Sequence, residues 1–125
     1  MRRKIPLPVC AMLFASLAGC YHLVMGDCDD RVKLESVSPN GRYAATVIER
    51  DCGATTDYST LVNLRAASEP LTTTPDSLIL ALSGKQSVDL DWEGEFQLTV
   101  QFPRVDTYTQ KLSWNDVQVV YQHPD

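Results

Sequence analysis

Four cysteines, at positions 10, 20, 28 and 52, and two histidines, His22 and His123, are the residues of this 125-residue chain best suited to covalent or metal chemistry. Soft-metal centres gather three or four thiolate and imidazole ligands at short spacings. No such cluster is apparent, since the histidines lie near opposite ends of the chain. Asp27-Cys28-Asp29-Asp30 and Asp89-Leu90-Asp91-Trp92-Glu93-Gly94 are the carboxylate-rich stretches that could hold calcium. Adjacent carboxylates rarely converge on one ion, and the second stretch places Val100 where a calcium loop needs its bidentate glutamate. Solvated strand ends explain both better. Hydrolysis wants a nucleophile beside a base, or paired carboxylates in a cleft. Neither a nucleophile elbow nor a phosphate-cradling glycine loop occurs. The expectation is therefore no metal, no cofactor, no catalytic residue and no enzyme.

The remaining chemistry belongs to the cysteines, and their setting sorts them. Met1-Arg2-Arg3-Lys4 is basic, and Ile5 to Ala18 is apolar apart from Ser16. That run is too short to span a bilayer, which needs about 20 residues. A basic start, an apolar run and small residues before a cut site make a secretory signal. An ordinary one would need no cysteine, yet Leu17-Ala18-Gly19 is followed by Cys20. This tetrapeptide resembles the lipobox that signal peptidase II reads in bacterial lipoproteins. The resemblance implies diacylglycerol on the Cys20 thiol, cleavage before Cys20, and removal of Cys10 with residues 1–19. It also implies anchoring by acyl chains, which hold stably once two or more are attached. Tyr21 stands where an aspartate commonly retains lipoproteins in the inner membrane. An outer-membrane anchor facing the periplasm is then implied for a Gram-negative host, and a cell-membrane anchor otherwise.

Cleavage would leave 106 of the 125 residues, enough for one domain with a modest core. Losing three of the 11 Lys and Arg while keeping all 16 acids gives a balance of −8. Such a surface repels nucleic acid and gives no attraction to anionic lipid, so membrane contact falls to the acyl chains. The exported compartment is oxidising, where an even pair such as Cys28 and Cys52 usually forms a disulfide, with free thiols the alternative. Residues 20–30 read as a lipidated tether and 31–125 as a single β-rich domain.

Period-two alternation marks the strands. Val32 to Val37 and Arg42 to Arg50 flank Ser38-Pro39-Asn40-Gly41, whose proline and glycine suit a tight turn, so a hairpin is expected. Leu61-Val62-Asn63-Leu64 reads as a strand reaching from Tyr58 to Arg65. Residues 66–76 read as a Thr-rich loop, and Ser77 to Leu82 as a compact apolar strand. Val88 to Trp92, Phe96 to Val100 and Asp116 to Gln122 complete the set, with residues 104–115 as loop or poorly paired ribbon. No helical period is sustained and no repeat supports a propeller. The fold class expected is all-β: a small antiparallel sandwich or meander of six or seven strands with one disulfide. Tyr43, Trp92, Phe96, Phe102 and Trp114 are candidate core or core-edge residues.

Arg50-Asp51-Cys52-Gly53-Ala54-Thr55-Thr56-Asp57-Tyr58 is the most distinctive stretch of the domain. Residues 38–64 around it resemble a cysteine-containing segment of small uncharacterised bacterial envelope proteins, a resemblance that implies no activity. Arg50, Asp51, Thr55, Thr56 and Tyr58 are the candidate partner-binding residues, with a disulfide-braced connection as the alternative. Functionally the chain reads as a lipid-anchored accessory module binding an envelope protein or a cell-wall polymer. A structural envelope lipoprotein without a specific partner is the alternative, and a hydrolase is a remote one.

Overall fold

A computed structural model describes residues 28–54 and 56–124; the leader, Cys20, the tether up to Asp27, and Thr55 lie outside the described residues. Every described element is a strand. One sheet runs β1 (Asp29–Val37), β2 (Tyr43–Asp51), β3 (Ser59–Ala66), β4 (Leu78–Ser83) and β7 (Thr107–Gln110), all antiparallel. The other runs β5 (Asp89–Trp92), β6 (Gln97–Gln101), β9 (Val117–Gln122) and β8 (Ser113–Trp114). The two sheets sandwich a core of Val47, Val62, Leu64, Leu80, Leu82, Leu98, Val100, Phe102 and Val117, each at most 2% exposed.

The hairpin turn forms as its residues dictate. The Gly41 amide donates to the Ser38 carbonyl at 2.8 Å, and Gly41 takes φ 74°, a conformation glycine reaches without strain. The Ser38 hydroxyl accepts the Tyr43 amide and donates to Asn40 Oδ1, which satisfies a buried group. Cys28 and Cys52 form the expected disulfide and close the far end of the same hairpin, beside the facing pair Asp29 and Asp51. Asp29 and Asp30 already belong to β1, so the acidic stretch begins the strand rather than ending a tether.

Two features differ from the sequence reading. Residues 104–115 hold two short strands, β7 and β8, one in each sheet, with Lys111 and Leu112 carrying the chain between them. Strands of four and two residues are too short to display a period. This crossover also lets β9 lie parallel to β6, the one departure from antiparallel pairing. Ile79 and Leu80 are both fully buried because the β3–β4 register shifts beside Asn63, which explains an apolar run without alternation.

Strand β2 is buried on both faces from Tyr43 to Ile48. Tyr43, Ala45 and Val47 face the core, while Ala44, Thr46 and Ile48 face outward and are covered by residues 67–77. Outward-facing side chains pin this strap. Arg65 donates to the Ala67 and Glu69 carbonyls, Asn63 to the Thr72 carbonyl, and Arg50 to the Thr73 hydroxyl. A second apolar cluster of Ile48, Leu61 and Ala81 with Leu78 sits on this face.

Aromatic residues close one end of the sandwich. Tyr43 stacks on Trp92 and meets Trp114 and Phe96 edge-on, with centroids 5.8–6.5 Å apart. Trp92 and Trp114 are half-buried against the core, Phe102 is fully buried, and Phe96 is 43% exposed at the edge of the cluster.

Candidate binding groove at the open seam

A two-sheet sandwich has two seams where the sheets' edges meet, and here they differ. At one, the chain itself crosses from β7 to β8. The Lys111 amide donates to the Ile79 carbonyl and the Val119 amide to the Leu112 carbonyl. The half-buried Tyr121 hydroxyl sits 2.5 Å from the Lys111 carbonyl and 3.1 Å from that of Ile79, bridging the sheets. Burial pushes the Tyr121 phenol well above its ordinary range despite that hydrogen bond.

At the other seam lie β1 and β5, paired among the described residues only with β2 and β6 respectively. One side-chain hydrogen bond joins them, Trp92 Nε1 to the Ser36 carbonyl at 3.1 Å. Away from that bond the seam opens into a groove of about 280 Å³. Its floor is Leu34, Val47 and Val88; its rim is Lys33, Glu49, Gln86, Ser87 and Asp89.

Local sequence builds each wall. A bulge at Lys33 shifts the β1 register between Val32 and Leu34, so Lys33 turns toward the groove mouth. Glu49 continues the inward face of β2 after Tyr43, Ala45 and Val47, which brings a carboxylate to the edge of the core. Its side chain is only 15% exposed, and its ion-pair partner is Lys33 at 3.9 Å, itself 53% exposed. The opposite wall is fixed by Thr60, whose hydroxyl donates to the Gly84 carbonyl at 2.7 Å and accepts the Gln86 amide at 2.9 Å.

A smaller polar cavity of about 60 Å³ adjoins through Glu49 and is lined by Asp29, Arg31, Asp51, Tyr58 and Lys85. Lys85 Nζ lies 4.1 Å above the Tyr58 ring, a cation–π contact. The structure thus divides the residues proposed from sequence. Asp51 and Tyr58 reach this cavity. Arg50 points to the other face of the sheet, where it donates to both Asp30 oxygens at 2.8 and 2.9 Å and to Thr73. The Asp30 hydrogen bond raises the Arg50 pKa further above its ordinary value. Thr56 turns back onto the Gly53 carbonyl, and Asp51 Oδ1 also accepts the Gly53 amide. Thr55 lies outside the described residues.

Leu34, Glu49 and Val88 were not among the candidates drawn from sequence. One signal was available: a glutamate following three apolar residues on the inward face of a strand. Of the histidines, His22 lies outside the described residues, while His123 packs on Phe102 with Nδ1 3.0 Å from the Phe102 carbonyl. Set against known proteins, the chain matches no family model, no curated protein and no solved structure.

Proposed function

We propose that this is a lipid-anchored envelope protein, held to the membrane by acyl chains on Cys20, that works by binding a partner in the groove between β1 and β5. The observation that supports this is the asymmetry of the seams. Apolar floor and polar rim together are the ordinary composition of a recognition site. Anchoring raises the effective concentration of such a groove toward other envelope components. Without an acyl anchor the domain would drift from them, so Cys20→Ala is expected to leave the membrane fraction.

A photoreactive residue placed at Gln86 in the full-length protein tests the reading in cells. It is expected to crosslink one dominant species, and Leu34→Glu is expected to remove that product. The same probe at Gln118, exposed on the outer face of β9, is the control. Equal profiles from both positions, or a product that survives Leu34→Glu, would reject the groove as the binding site.

A further inference from the structure

The groove's chemistry narrows its partner, and this inference rests on the groove reading above. We propose that the occupant is an extended polypeptide segment carrying a basic side chain two residues from an apolar one, so that both face the groove, laid along the free edge of β1.

Three observations converge on this class. First, among the described residues no strand pairs with the outer edge of β1 over the half that borders the groove. Trp92 caps the Ser36 carbonyl and closes the other half. An unpaired strand edge is a template for another strand, with backbone hydrogen bonds giving affinity and side-chain pockets giving specificity. Second, the floor of Leu34, Val47 and Val88 lies at the same place and accepts an apolar side chain directed inward. Third, the charges are unbalanced. Glu49 is 85% buried, faces the groove, and has a distant, largely exposed lysine as its ion-pair partner. Asp89 adds a second carboxylate to the groove rim, where Lys33 is the lining cation, while Arg31 and Lys85 lie in the adjoining cavity with Asp29 and Asp51. A lysine or arginine from the partner would give Glu49 the short ion pair it lacks.

The edge is also protected against indiscriminate pairing. The bulge at Lys33 and the flanking charges twist and mark β1, a common defence of exposed edges. A bound segment must therefore displace Lys33 from Glu49, which gives the two residues opposite roles. Glu49 attracts the partner's cation, and Lys33 competes with it.

The probe is a displayed library of random peptides, selected on the purified mature domain with its disulfide intact. The expected result is a set of peptides enriched in Lys or Arg two residues from an apolar residue. Their binding should perturb the amides of β1 and of Gln86 to Asp89. Glu49→Gln should weaken them roughly tenfold or more, the scale for a desolvated charge pair. Lys33→Gln should strengthen them, an outcome that misfolding cannot mimic. Methylating alternate peptide nitrogens should abolish binding in one register and spare the other. Peptides that occupy the groove without basic enrichment, and that ignore Glu49→Gln, would overturn this inference and leave the groove reading standing. Peptides that bind elsewhere, or a selection yielding none, would overturn both.

Discussion

The two seams of this sandwich are built from similar strands and end up with opposite properties. At the β7–β8 seam the covalent chain passes from sheet to sheet, backbone amides bond across it, and Tyr121 closes it from within. At the β1–β5 seam the chain arrives from β4 through residues 84–88, of which Gln86, Ser87 and Val88 line the groove, and the indole of Trp92 is the side-chain hydrogen bond that links the two edge strands. A seam bridged by backbone and Tyr121 hydrogen bonds needs no partner to satisfy its edges. A seam flanked by two edge strands leaves backbone groups and apolar floor accessible, so recognition is expected there.

This contrast can be strained by substitution, beginning with the largest effect. The disulfide clasps the end of β1 that borders the groove, and it links residues 24 apart. Replacing both Cys28 and Cys52 by serine is expected to lower stability by about 3 kcal/mol in chain-entropy terms, measured by denaturant unfolding. Groove binding should fall with it, because β1 is exposed along almost its whole length and has little else to hold it. At the closed seam, Tyr121→Phe deprives the Lys111 carbonyl of its hydroxyl donor. A loss of about 1–3 kcal/mol is expected for a buried acceptor left unpaired, with groove binding unchanged. Unaltered stability would mean that the hydroxyl does not bridge the sheets.

Trp92→Phe keeps an aromatic ring against Tyr43 but deletes the donor to Ser36 and part of the indole's packing on the core. A cost of about 1–2 kcal/mol is expected, with faster amide exchange in β1 and little change in β9. The smallest effect concerns Glu93, at the turn that follows β5. A hydrogen bond with Asp91 raises its pKa, so the folded state holds that proton more tightly than the unfolded one. The sign follows: the contribution of Glu93 to stability is fully present below the ordinary glutamate range and is lost as pH rises through the raised value. Glu93→Gln should flatten that decline in a pH series of unfolding midpoints.

Much of the fold was legible in the sequence because alternation survives wherever one strand face meets the core. Tyr43, Ala45 and Val47 announce β2, and Leu98 and Val100 announce β6. Ser38-Pro39-Asn40-Gly41 gave the hairpin, and the two cysteines their pairing. Tertiary geometry hid the rest. The strap over Ile48 and Leu61 is held by side chains of Arg50, Asn63 and Arg65 donating across the sheet, which no local pattern encodes. Arg50 illustrates the difficulty: beside Asp51 and Cys52 it resembles a recognition residue, yet strand alternation turns it to the opposite face. The groove was hidden for the same reason. Leu34 of β1, Val47 of β2 and Val88 of the β4–β5 connection are far apart in the chain, and only the divergence of β1 from β5 brings them to one opening.

The most direct measurement of this account is amide hydrogen exchange on the full-length protein, comparing the seams before and after adding a selected peptide. The unbonded amides of Asp29 to Leu34 should exchange far faster than those of Lys111 and Val119, and the peptide should slow only the former. Equal protection at the two seams in the unbound protein, or slowing by peptide at the β7–β8 seam, would contradict it.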